Sequence, residues 1–101
     1  MAVEPLTEQE IEDRLSALPA WRAVDDRLVR SYRLASHRAA AALVADVART
    51  QDELDHHSEL TLGYDTVDVS VNTHSVGGRI TALDVGLAAR IEELAARHDA
   101  H

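Results

Sequence analysis

The sequence predicts an α+β fold in which an antiparallel sheet is covered on one face by helices. Three observations support this prediction: helical spacing in three segments, strand patterns in four, and the order of these segments along the chain. That order is α-β-β-α-β-β-α, which is typical of helices packed on an antiparallel sheet. The 101 residues are enough for one domain and too few for two, so residues 1–101 are interpreted as a single domain.

The N-terminal third is predicted to hold one helix and two strands. Residues 7–10 match a capping box, in which the threonine hydroxyl and the last glutamate satisfy free backbone N–H groups. Apolar residues then recur at helical spacing, at Ile11, Leu15 and Leu18, and Pro19 ends this helix. Residues 21–24 and 28–34 are predicted strands, joined by a turn at residues 25–26.

The rest of the chain is predicted to hold two helices around a second strand pair. Ser36 caps a helix from about residue 37 to about residue 54, whose apolar positions include Ala40, Leu43, Val44 and Val47. Residues 60–64 and 67–71 are predicted strands, the latter half-buried because valines alternate with polar residues. After a turn at residues 77–78, a second capping box opens a helix with Leu83, Leu87, Ile91 and Leu94 on its inner face.

Composition excludes several classes of function. The 18 acidic and 10 basic residues give a formal net charge of -8 without any basic run, which disfavours direct binding to nucleic acid or to an anionic membrane. Without cysteine, the chain forms no disulfide and no Cys-ligated zinc site. Its N-terminus is acidic, and its longest apolar run, residues 39–45, is far below the roughly 20 residues that span a bilayer. The cytoplasm is the expected compartment.

Three of the six histidines, His56, His57 and His74, are the candidates for chemistry. The carboxylates associated with them are Asp52, Asp55 and Asp84. A structural interpretation is also available, because imidazoles interact well with a helix C-terminus and the last of these acids belongs to a capping box. The two acids at the end of the second helix, however, oppose the helix dipole, which favours a functional role for them.

Acid–base chemistry fits these histidines better than a metal site does. Adjacent histidines diverge by roughly 100° on a helix and face opposite sides of a strand, and the chain has no pair spaced four apart as zinc helices prefer. We therefore expect neither a metal nor a cofactor. Histidines that converge in a cleft suit proton donation and acceptance, because an unperturbed imidazole has a pKa of about 6.5.

The spacing of these residues resembles the signature of pterin-4a-carbinolamine dehydratases. The matching positions are Asp52, His56-His57-Ser58, Tyr64, Asn72-Thr73-His74 and Asp84, with Leu18-x-x-Trp21 near the start. The likeness covers nearly the whole chain. It implies a four-stranded antiparallel sheet with three helices on one face, and self-association into homodimers or homotetramers. The implied reaction is dehydration of 4a-hydroxytetrahydropterin to quinonoid dihydropterin, in tetrahydropterin recycling.

The resemblance also implies roles for the residues. The implied catalytic residues are His56, His57 and His74, supported by Asp52, Asp55 and Asp84, and the implied substrate-binding residues are His57, Ser58, Tyr64 and Thr73. Our hypothesis makes His56 and His74 the acid–base pair and His57 the residue that orients the pterin. Either Asp52 or Asp55 would tune a histidine, while Asp84 would form part of the site or cap its helix.

Three departures from the family pattern leave two alternatives open. Ser58 replaces the usual proline, Leu60 stands where many members have tryptophan, and the segment 74–84 is about one residue longer. One alternative is a non-catalytic assembly or dimerisation factor on the same fold. The other is a different enzyme on this fold, acting on another reduced pterin or in molybdopterin metabolism. Retention of all three histidines favours an enzyme.

Overall fold

The computed structural model describes residues 3–101. Its helices are α1 (Glu8–Leu15), α2 (His37–Leu54) and α3 (Ala82–Arg97), and its strands are β1 (Arg22–Val24), β2 (Arg27–Arg33), β3 (Glu59–Leu62) and β4 (Thr66–Val71). A short 3-10 helix at His74–Val76 lies between β4 and α3. The order confirms the predicted α-β-β-α-β-β-α arrangement.

Each helix begins at the cap that the sequence predicts. The Thr7 hydroxyl accepts a hydrogen bond from the Glu10 N–H at 3.1 Å, and the Glu10 carboxylate accepts one from the Thr7 N–H at 2.9 Å. Thr81 and Asp84 form the second capping box, at the start of α3. The Ser36 side chain caps α2. Both predicted capping boxes are therefore confirmed.

The four strands form one antiparallel sheet in the order β1-β2-β4-β3. The two hairpins therefore meet through β2 and β4, where Leu28 pairs with Val71 and Tyr32 with Val67. Val67, Val69 and Val71 are each at most 2% exposed, which confirms β4 as a half-buried strand. The helices cover this one face of the sheet, and their buried residues include Ala40, Leu43, Val47, Leu87, Ala88 and Ile91.

The third strand is displaced from its predicted position. Residues 60–64 were the expected strand, whereas β3 covers Glu59–Leu62 and the chain turns immediately after it. The Gly63 N–H donates to the Thr66 carbonyl at 2.9 Å, which closes this turn. A Cβ atom on Gly63 would collide with the Thr66 hydroxyl, so a larger residue here would displace that side chain.

A partly buried carboxylate on α3, that of Glu92, explains why the inner face of β2 contains an arginine. Arg30 Nε donates to Glu92 Oε1 on α3 at 3.2 Å, and Trp21 Nε1 donates to the same oxygen at 3.0 Å. Tyr32 donates its hydroxyl to this oxygen as well, while the Arg30 guanidinium lies 4.2 Å above the Tyr32 ring. Burial by itself raises the pKa of Glu92, but these three hydrogen bonds outweigh it and leave that pKa below its ordinary value.

We expect the free energy of unfolding to decrease above pH 10 because of Tyr32. Burial and the hydrogen bond to Glu92 raise the pKa of Tyr32 far above the ordinary value of 10.0. Above pH 10 Tyr32 ionises in the unfolded chain but not in the folded protein. Its contribution to the free energy of unfolding is therefore complete below pH 10 and decreases above pH 10 by up to about 1.4 kcal/mol per pH unit. Urea unfolding between pH 8 and 11 measures this, in a Tyr64→Phe background that leaves Tyr32 as the one tyrosine.

The matched control is Tyr32→Phe, which should remove most of that decrease. The comparison is clean because all 10 basic residues are arginines, which keep their charge in this range. An equal decrease in both variants would contradict the assignment to Tyr32.

Candidate active site

The candidate active site lies where β3 begins and β4 ends. Asp55 caps the C-terminal end of α2 in a left-handed conformation (φ 53°, ψ 40°), and His56 and His57 then lie between this cap and β3. Because β3 and β4 are antiparallel, with Glu59 opposite Ser70, the start of one lies beside the end of the other. The histidines after α2 and the turn after β4 therefore meet at one end of the sheet.

A cleft of about 330 Å³ opens at this end of the sheet. Its lining residues are Asp55, His56, His57, Asn72, Thr73, His74, Ser75 and Leu83. The structure thus brings the three candidate histidines to one cavity, although His56 and His74 lie 18 positions apart in the sequence. Ligand cavities in proteins begin at about 300 Å³, so this cleft accommodates a small bicyclic molecule.

One histidine is anchored to a fully buried carboxylate. His56 Nε2 lies 2.6 Å from Asp84 Oδ1, and Asp84 is 0% exposed. The other oxygen of Asp84 accepts from the Thr73 hydroxyl at 2.9 Å and from the Thr81 N–H at 2.8 Å. Asp84 therefore caps α3 and also contacts a histidine of the cleft.

This pairing selects one form of the His56 ring. An ionised carboxylate only accepts hydrogen bonds, so Nε2 is the ring nitrogen that holds a hydrogen. Nδ1 is then the atom available to exchange a proton with a ligand. The His56 side chain is only 12% exposed, which limits competition from water.

A second histidine is paired at the surface. His57 Nε2 lies 2.9 Å from Asp52 Oδ1, with the two side chains 54% and 81% exposed. Of the two acids at the end of α2, Asp52 and not Asp55 has its carboxylate in contact with a histidine. Asp55 contributes its left-handed backbone conformation, and its N–H donates to the Asp52 carbonyl at 3.3 Å.

The third histidine is presented by a tight turn. His74 is exposed, and its ring forms no hydrogen bond within residues 3–101. Asn72 holds the turn closed by donating to the Gly78 carbonyl at 3.0 Å. Gly77 and Gly78 have φ values of 72° and 74°, a backbone conformation that favours glycine. The imidazole of His74 is therefore positioned by backbone geometry, without a carboxylate partner.

Two implied substrate-binding residues lie outside this cleft. Tyr64 is 79% exposed in the β3–β4 turn, at the opposite end of that hairpin, where it stacks on His37 with ring centroids 6.0 Å apart. Ser58 donates both its N–H and its hydroxyl to the Gln51 side chain. Thr73 does line the cleft, but its hydroxyl is occupied by Asp84 and Thr81.

The prediction for Leu83 was wrong. It was assigned to the inner face of α3, but it is 43% exposed and lines the cleft. The inner face uses Leu87 and the residues that follow it at helical spacing. Leu83 belongs to the first turn of α3, where the adjacent Asp84, and not Leu83, is the buried residue.

Two supporting residues were missed by the sequence interpretation. Gln51 is 4% exposed, its carbonyl accepts from the His56 N–H at 3.1 Å, and its side chain accepts from the Ser58 N–H at 2.9 Å. The sequence does contain a signal for Gln51, because it lies four residues after Val47 on the inner face of α2. A polar side chain at such a position needs hydrogen-bond partners. Thr81 is 0% exposed and orders Thr73 beside Asp84.

Residues 3–101 contain no group of three or more His, Asp or Glu side chains placed to hold a metal ion. Among the helices of the same segment, none combines the length and the apolar character needed to cross a bilayer.

The fold and the cleft define a class of protein: α+β proteins with a histidine-lined cavity at the end of an antiparallel sheet. Residues 4–94 match the model of the family described as pterin 4 alpha carbinolamine dehydratase. A relative from Streptomyces avermitilis is 61% identical over 100 residues, covering 99% of each chain, and one from Streptomyces coelicolor is 60% identical over 101, covering 100% of each. Both are named as this dehydratase, with the activity marked as unproven. The chain therefore belongs to the pterin-4a-carbinolamine dehydratase family.

Solved structures agree with this assignment. A transcriptional coactivator/pterin dehydratase from Brucella melitensis superposes with a TM-score of 0.86 at 34% identity, covering 91% of this chain and 99% of that one. A pterin dehydratase-like protein described as a RuBisCO assembly factor of the alpha-carboxysome gives 0.64 at 20% identity, covering 75% and 89%. The second likeness shows the fold alone.

Proposed function

We propose that this protein catalyses the dehydration of 4a-hydroxytetrahydropterin to quinonoid dihydropterin. The observation that supports this most is the convergence of His56, His57 and His74 on one cleft. The reaction breaks the C4a–oxygen bond, releases water, and removes a proton from a ring nitrogen. It needs an acid and a base and involves no change of oxidation state, so the side chains of the cleft suffice without a cofactor.

His56 is assigned as the acid and His74 as the base. The buried charge of Asp84, 2.6 Å from His56 Nε2, stabilises positive charge on that ring, so Nδ1 delivers a proton to the leaving hydroxyl. His74 has no carboxylate partner within residues 3–101 and accepts the proton from the ring nitrogen. His57, half-exposed and held by Asp52, binds and orients the pterin at the rim.

The proposal also covers the compartment, the oligomeric state and the number of domains of the protein. We expect a cytoplasmic homodimer or homotetramer whose residues 1–101 fold as one domain, as the family resemblance implies. Light scattering after size-exclusion chromatography measures the mass, and coincident unfolding transitions by two probes test for one folding unit.

The direct test is the rate at which enzymatically generated 4a-hydroxytetrahydropterin loses water, with and without the purified protein. Histidine acid–base catalysis predicts an acceleration of roughly 10²-fold or more. A folded protein that gives no acceleration would overturn the proposal. If such a protein also captured one stoichiometric partner, the assembly-factor alternative would replace it.

A further inference from the structure

A second cavity adjoins the candidate active site, between the end of α2 and the start of α3. This cavity, the α2–α3 groove, has a volume of about 200 Å³. Its lining residues are Leu54, His56, Ala82, Leu83, Gly86, Leu87 and Arg90. His56 and Leu83 line both cavities, so the groove adjoins the cleft across these two side chains, of which Leu83 is 43% exposed.

The walls of the groove are apolar and accessible. Leu54 and Leu83 are 42% and 43% exposed, although each is a large hydrophobic side chain. Along α3, Gly86 lies between Leu83 and Arg90. A Cβ atom added to Gly86 would meet no atom within 4 Å. Glycine is unfavourable inside a helix, and here it leaves open space that a larger side chain would fill. An apolar group of a ligand can therefore lie against this surface.

The far end of the groove holds a positive charge. Arg90 lies one helical turn beyond Gly86, is exposed, and forms no ion pair within residues 3–101. Arg90 lies seven positions after Leu83, which is about 10 Å along the axis of α3. A ligand arm that starts at the cleft reaches this guanidinium if it is about that long.

We propose that the α2–α3 groove binds the substituent on C6 of the pterin and selects an aryl arm that ends in a carboxylate. The apolar walls suit the aryl ring, and the guanidinium of Arg90 suits the carboxylate, which it can bind through two parallel hydrogen bonds. This inference rests on the proposed function, because it places the pterin ring in the adjoining cleft. It makes Gly86 and Arg90 determinants of substrate specificity.

The test compares two substrates that share the pterin ring and differ in the C6 arm. These are the 4a-hydroxy forms of 6-methyltetrahydropterin and of tetrahydrofolate, which has a benzoyl arm with carboxylates. The wild type should prefer the folate form by about tenfold or more in kcat/KM, the scale of a charged hydrogen bond. Gly86→Leu, which fills the groove, should bring the ratio of the two kcat/KM values close to one, and Arg90→Gln should remove most of the preference.

Two control variants isolate the effect. Gly86→Ala adds only a methyl group and should retain more of the preference than Gly86→Leu. Arg38→Gln makes the same charge change as Arg90→Gln, but at the start of α2, and should leave the preference intact. If Gly86→Leu does not fold by circular dichroism, the surface variant Arg90→Gln decides the test.

Failure of this inference is distinguishable from failure of the dehydratase proposal. Equal kcat/KM values for both substrates in the wild type would overturn the groove and leave the dehydratase proposal standing. Acceleration of neither substrate would overturn the dehydratase proposal. In that case, calorimetry with 7,8-dihydrofolate and 6-methyl-7,8-dihydropterin tests the groove separately. The groove proposal is supported if dihydrofolate alone binds to the wild type and the Gly86→Leu variant does not bind it. Any other result rejects the proposal.

Discussion

His74→Ala is expected to lower kcat for pterin dehydration by about 10²- to 10⁴-fold, the usual contribution of a general acid or base. The fold should be unaffected, because the imidazole is exposed and forms no hydrogen bond within residues 3–101. The turn that presents it is held by Asn72 and the two glycines, which remain. Single-turnover rates and urea unfolding, measured on the same preparation, separate the two effects.

His101→Ala is the matched control. This histidine is also exposed but lies at the C-terminal end, where its backbone pairs with Arg33. Its replacement should leave both kcat and stability unchanged. Wild-type turnover in the His74→Ala variant would exclude His74 from the mechanism.

Asp84→Ala is expected to reduce both stability and activity severely. The substitution removes a fully buried carboxylate that accepts hydrogen bonds from His56, Thr73 and Thr81. Each of these three donors then loses its hydrogen bond to Asp84. Breaking a buried charged pair typically costs about 3–5 kcal/mol. That is a large share of the roughly 5–15 kcal/mol that stabilises a small domain. Activity should fall as well, because the His56 ring loses the partner that fixes its tautomer.

The second histidine–carboxylate pair supplies the comparison for Asp84. Asp52→Ala removes a pair whose members are 54% and 81% exposed, so the free energy of unfolding should change by less than about 1 kcal/mol. Urea unfolding at neutral pH measures both variants, and Asp84→Asn tests how far an uncharged group of similar shape restores stability. Equal losses for Asp84→Ala and Asp52→Ala would contradict the importance of burial.

The order of the elements could be predicted because each has a local signal. Two capping boxes and the alternating valines of β4 depend on neighbours in sequence, and all three were confirmed. The position of β3 was less predictable, because the turn at Gly63 depends on its contact with Thr66. Leu83 was misplaced for a related reason: its apolar character fits a helix face, but its burial depends on where the sheet ends.

The site was predictable as a set of residues more than as a set of contacts. Spacing singled out His56, His57 and His74, and the structure brings them to one cleft. The choice of Asp52 over Asp55 as a histidine partner depends on the left-handed turn that ends α2. The buried network around Asp84 joins segments that are distant in sequence, so local patterns could not reveal it.

The hydrogen bond between Trp21 and Glu92 gives the protein an internal fluorescent reporter. Trp21 is the one tryptophan of the chain and is 2% exposed, so its emission responds to loss of the packing between α3 and the sheet. Glu92 lies eight residues beyond Asp84, about 12 Å along the helix axis from the candidate catalytic network. Emission therefore follows the integrity of the core, while turnover follows the cleft, and each variant can be assessed for the two properties in the same cuvette.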